Sequence, residues 1–117
     1  MAAAPSVKFR IRITKGDEIA VGPGKIALLE AIIDTGSITH AARKLGMSYR
    51  RAWLLVDEMN RAFKAPVVET AKGGPSGGKT IPTPLGEEVI RRYRTIETIA
   101  GSAARAEIAS LLKLLRA

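Results

Sequence analysis

The 117-residue chain is the length of one ordinary domain, and its 46% hydrophobic and 26% charged residues are near the averages for a packed globular protein. It has no cysteine and a single histidine, His40, which excludes disulfides, a thiolate metal site, a cysteine nucleophile and a transition-metal centre built from several nitrogen or sulfur ligands. Nineteen lysines and arginines against eleven acids give a net charge of +8, which favours a polyanion as partner: DNA, RNA or anionic lipid.

No apolar run approaches the roughly 20 residues of a transmembrane helix, and Met1-Ala2-Ala3-Ala4-Pro5 lacks the apolar stretch of a secretory signal. The expectation is a cytoplasmic protein with no membrane partner, no metal and no cofactor. Residues 37–94 carry 11 basic and 5 acidic side chains, so most of the basic excess lies mid-chain and not in a tail.

In chain order, Val7 to Thr14 alternates apolar Val7, Phe9, Ile11 and Ile13 with Lys8, Arg10 and Arg12, the period-2 pattern of a strand. Lys15 to Glu18 turns, and Ile19 to Val21 is a short return strand. Gly22-Pro23-Gly24 opens a helix from about Lys25 to Asp34, with Ile26, Leu29, Ile32 and Ile33 on its apolar face. Gly36 ends it, and Ser37 caps a second helix from Ile38 to Leu45, with Ile38, Ala41, Ala42 and Leu45 inward. Gly46 stops that helix. Ser48 caps a third from Tyr49 to about Phe63, lined by Ala52, Val56, Met59 and Phe63, with Leu55 and core Trp53 beside them. Val67 to Thr70 and Thr80 to Thr83 are two strands around the basic loop Lys72 to Lys79. A last amphipathic helix starts at Leu85, shows Leu85, Val89, Ile90, Tyr93 and Ile96 on one face, and runs toward Leu115 with a possible break at Gly101-Ser102.

The fold class read from this pattern is mainly α with a small amount of β, a winged helix-turn-helix. One domain spans residues 1–117: N-terminal strands over 7–21, the first helix and helix-turn-helix over 24–63, a β-hairpin wing over 67–83, and a long C-terminal dimerisation helix over 85–116. Two short helices joined at Gly46 have helix-turn-helix spacing, and in that motif the N-terminal end of the second helix meets base edges in the major groove. The candidate DNA-reading residues are therefore Ser48, Tyr49, Arg50 and Arg51. Arginine is the side chain best suited to guanine O6 and N7, and the first-turn amides can hold a phosphate. Asp57 and Glu58, two turns later, would repel phosphate and so fit insertion N-end first. Further candidate contacts are Ser37, Thr39 and His40 in the preceding helix and Lys72 and Lys79 in the wing.

Gly73 to Thr80 satisfies G-x-x-x-x-G-K-[ST], the phosphate-loop expression, but such a loop must open a helix at its Lys-Thr. Ile81-Pro82-Thr83-Pro84 follows instead, and its two prolines prevent that. No nucleophile–base pairing is visible, and the reading is of a protein that is not an enzyme.

Gly36-Ser37-Ile38, Ala42, Leu45 to Tyr49, Ala52-Trp53, Glu58-Met59-Asn60, the glycine-rich wing and Thr83-Pro84-Leu85-Gly86 together resemble the DNA-binding domain of the ModE family of molybdate-responsive regulators, itself similar to the LysR-type N-terminal domain. The resemblance covers roughly Pro23 to Ile96. It implies a bacterial, homodimeric winged-helix transcription regulator, with Ser48 to Arg51 opening the recognition helix. Full-length ModE regulators carry C-terminal molybdate-binding modules for which 117 residues leave no room, so molybdate sensing is not carried over.

The partners expected are double-stranded DNA and a second copy of the chain, paired through Ile96, Ile99, Ala103, Leu111 and Leu115. Two alternatives stay open: a non-specific architectural DNA- or RNA-binding protein, and a protein-interaction module on the same fold. The operator, the sign of regulation and any effector are not legible in the sequence.

Overall fold

A computed structural model of the chain describes residues 4–71 and 79–116. The elements follow in the order β1 (Ile13–Lys15), β2 (Glu18–Val21), α1 (Pro23–Thr35), α2 (Ile38–Lys44), α3 (Tyr49–Ala62), β3 (Val68–Ala71), β4 (Lys79–Pro82), α4 (Pro84–Ala103) and α5 (Arg105–Leu112). β1 pairs with β2 and β3 with β4, both antiparallel, and the two ribbons are separate sheets. This is the winged helix-turn-helix with a little β that the patterning predicts.

Local chemistry sets most boundaries. Pro23 at the first position of α1 has its φ preset for a helix. Gly36 ends α1 in the left-handed region at φ 69°, its N–H donating to the Ile32 carbonyl at 2.7 Å. The core is the inner face of α1 (Ile26, Leu28, Leu29 and Ile32) against Ala41 and Ala42 of α2, Ala52, Val56 and Met59 of α3, and Val67 and Val68 at the wing's base. Small alanines where α2 and α3 meet α1 let the three helices approach closely. Tyr93 of α4 closes the core from the far side, and burial pushes its hydroxyl pKa up.

Several expectations are corrected. The strand predicted from Val7 begins only at Ile13, because β2 is four residues long and Gly22-Pro23 ends it, leaving residues 7–12 no strand partner among the described residues. Those residues run beside α4 instead: the Tyr93 hydroxyl donates to the Ile11 carbonyl at 2.7 Å, and Gly101 sits against the Phe9 ring. Ile33 faces solvent, and Leu28 takes its place inside. Trp53 is only half buried, packing at the edge of the core. The last helix does not break at Gly101-Ser102. It continues to Ala103, pauses at Ala104 (φ −94°, ψ 5°), and resumes as α5, which ends at Leu112. An interior glycine weakens a helix by about 1 kcal/mol but does not by itself stop one.

The molecule is elongated, 58 × 35 × 24 Å, with a radius of gyration of 17.4 Å. A compact chain of this length would have about 13 Å. α5 buries no residue. α4 is anchored by the Arg94 guanidinium, which forks onto Glu30 of α1 at 2.6 and 3.0 Å and also meets Glu97 at 2.6 Å. Both carboxylates raise the Arg94 pKa, holding it charged.

Candidate nucleic-acid interface

The Ser37 hydroxyl accepts from the His40 N–H at 3.2 Å and starts α2, leaving Thr39 and His40 exposed on its first turn. At the far end Gly46 takes φ 69°, and the Met47 N–H returns to the Ala42 carbonyl at 3.0 Å. That left-handed step sends the chain directly into α3. The Ser48 hydroxyl then accepts from the Arg51 N–H at 3.0 Å. The Tyr49 and Arg50 amides are left without an acceptor among the described residues, at the positive end of a 14-residue helix. Ser48→Ala is expected to cost about 1 kcal/mol, a fall of roughly 4 °C in a thermal unfolding midpoint.

Tyr49, Arg50 and Arg51 are all exposed, and among the described residues neither arginine has an ion-pair partner. Ser48, Arg50, Arg51, Trp53, Leu54 and Asp57 share one open face on this end of α3. The two acids part company: Asp57 stays on that outer face, whereas Glu58 turns inward to the buried Lys25 ammonium at 3.2 Å. Lys25 also donates to the Ile19 carbonyl, so this pair ties α3 to α1 and to β2. On α2, Lys44 is engaged by Asp34 at 2.5 Å, a contact that lowers the Asp34 pKa, while Arg43 is exposed. Lys79 is exposed at the first position of β4, opposite Ala71. Lys72 lies outside the described residues.

Residues 24–87 match the family described as bacterial regulatory helix-turn-helix protein, lysR family. The chain belongs to that family. Among similar proteins are the molybdenum-pterin-binding protein MopB of Rhodobacter capsulatus, 49% identical, and the transcriptional regulator ModE of Yersinia pestis, 42% identical. The DNA-binding transcriptional dual regulator ModE of Escherichia coli K12 is 38% identical. Each match runs over 77 residues, which is 66% of this chain but only 28–29% of the relative. The chain thus spans under a third of these relatives, and the part they share with it includes the lysR-type helix-turn-helix.

Within this lysR-type domain, the residues that carry the ModE likeness away from α3's first turn mostly build the scaffold. Asn60 is one: its Oδ1 accepts from the Val67 N–H at 2.8 Å and the Val68 N–H at 3.4 Å, while its Nδ2 donates to the Val68 carbonyl at 3.3 Å. One amide side chain therefore stands in for a strand at the start of the wing. Asn60→Ala should cost about 2 kcal/mol by stranding buried backbone groups, and Asn60→Asp less, because Oδ1 survives. Chemical denaturation of the two variants tests that order.

The Thr83-Pro84-Leu85-Gly86 run is the second such device. Thr83, expected to end the wing strand, instead caps α4. Its Oγ1 accepts from the Gly86 N–H at 3.0 Å and donates to the Pro66 carbonyl at 2.7 Å, while its own N–H reaches the Val67 carbonyl at 3.0 Å. Gly86 lies so close to Val67 that a Cβ there would fall 2.2 Å from the Val67 carbonyl oxygen. The entry of α4 is thus fastened to the root of the wing.

Proposed function

We propose that this chain binds duplex DNA sequence-specifically, with α3 as the recognition helix in the major groove, and acts as a homodimer in transcription regulation. The carrying observation is the N-terminal end of α3, where two arginines without an ion-pair partner among the described residues stand beside two amides free of intrahelical partners. Arg50 and Arg51 supply donors for guanine, Ser48 and the free amides hold a backbone phosphate, and Lys79, at the end of the wing strands away from the core, adds phosphate contact. Ser37, Thr39 and His40 present α2's first turn to the same backbone. The names of the relatives support a regulator, and the molybdenum in those names stays with them.

The homodimer rests on the protruding C-terminal helices. Ile96, Ile99 and Ala103 follow one another at helical spacing on α4, and Leu111 and Leu115 lie beyond. All five are exposed, Ile99 at 61% and Leu111 at 63%. Apolar surface in this amount is matched by a second copy of itself. Sedimentation at micromolar concentration should give about twice the 12.5 kDa of the chain; a monomer there contradicts the dimer. In a dimer the two α3 helices would lie about 34–36 Å apart, one helical turn of DNA.

The reading is tested by electrophoretic shift on DNA upstream of the protein's own gene, with excess unlabelled competitor, with and without molybdate. A competitor-resistant band supports a specific regulator. A smear that competitor removes favours the architectural reading.

A further inference from the structure

The sequence Trp53-Leu54-Leu55-Val56 places four consecutive apolar residues on one helix, and a helix packed on one side cannot bury all four. Val56 is fully buried, Leu55 and Trp53 are half buried, and Leu54 is turned out at 49% exposure. It sits on the open face of α3 one turn beyond Arg50, beside Trp53 and Asp57. Tyr49, 54% exposed, stands edge-on to Trp53 with ring centroids 6.2 Å apart and an interplanar angle of 86°. That contact holds the tyrosine ring against the helix. Beside the arginines, then, this face of α3 presents a preformed apolar strip, with Leu54 at its centre.

We propose that Leu54, flanked by the Tyr49–Trp53 pair, reads the 5-methyl group of thymine, making this strip a second specificity determinant next to Arg50. The inference rests on the proposed docking of α3 in the major groove. Its physical basis is that the thymine methyl is the one apolar feature on the major-groove edge of a base pair, and an apolar side chain is what recognises it. The arginines toward the helix start make a polyanion the fitting occupant of this face, and a leucine exposed between those cations and Asp57 is otherwise a cost. Position narrows it further. Residues 50 and 54 are about 6 Å apart along the helix axis, and base pairs stack about 3.4 Å apart. The thymine should therefore lie within about two base pairs of the guanine read by Arg50.

The test is methyl deletion in the DNA. A preferred duplex is first selected from random sequences, and each thymine in it is then replaced singly by deoxyuridine, which removes the methyl and keeps the pairing. Binding should weaken about three- to five-fold at one thymine per half-site, near the guanine, and remain unchanged at the others. Leu54→Ala, a helix-favouring change at an exposed site, should bind the thymine and deoxyuridine duplexes equally. If specific binding persists and no deoxyuridine weakens it, or if the methyl effect survives in Leu54→Ala, the assignment to Leu54 is overturned. A selection that enriches no sequence overturns the docking of α3 itself, and the inference with it.

Discussion

Gly86→Ala should destabilise the domain by about 3 kcal/mol or more and lower its unfolding midpoint by roughly 10–20 °C. The sign of this result is informative. Gly86 lies in the first turn of α4, where helix propensity alone favours alanine by up to about 1 kcal/mol. Packing opposes it, since the added methyl would sit 2.2 Å from the Val67 carbonyl oxygen, a backbone atom of a fully buried residue. No rotamer change relieves that overlap. Either α4 moves away from the wing's root, breaking the Thr83 contacts to Pro66 and Val67, or the wing shifts relative to α3. Wild-type-like stability of Gly86→Ala in a calorimetric scan would mean that α4 and the wing are not fastened in this way.

The second large effect concerns recognition. Arg50→Ala should weaken binding to the preferred duplex by about 1–3 kcal/mol, roughly 5- to 150-fold, and relax the preference at a single base pair. Arg50→Lys should recover charge and not selectivity, because an ammonium cannot make the paired contacts of a guanidinium with guanine. Lys79→Ala, by contrast, should weaken every duplex alike and reduce the salt dependence by about one phosphate contact. Fluorescence anisotropy against a preferred and a scrambled duplex at two salt concentrations separates these behaviours. Parallel losses on both duplexes from Arg50→Ala would leave Arg50 as a phosphate contact only.

What could be read from the sequence was what local chemistry decides. Gly36, Ser37, Gly46 and Ser48 mark the ends of α1, α2 and α3 because a left-handed step and a hydroxyl cap act within four residues. Arg50 and Arg51 take their places on α3 by counting from Ser48. Features that depend on distant partners were hidden. The alternation from Val7 to Ile13 records which side chains face the protein, yet a strand also needs a neighbour, and β2 is too short to provide one. The inward turn of Glu58 depends on Lys25, a residue in another helix, and so the two acids of α3 looked alike. Asn60 and Gly86 carry the family resemblance, but their physical roles depend on the wing's root, which lies outside the local pattern around each. Leu54 has no cap, charge or turn chemistry to mark it. The run of four apolar residues from Trp53 to Val56 was the available signal that one of them had to face outward.

The most direct test of the central claim, that α3 reads bases, is the ratio of affinities for a selected duplex and a scrambled duplex of the same composition, measured near 0.15 M salt. A base-reading helix should give a ratio of about 1,000 or more. A ratio near one, with binding to both duplexes falling together as salt rises, would show that the +8 chain holds DNA by charge alone and would contradict the claim.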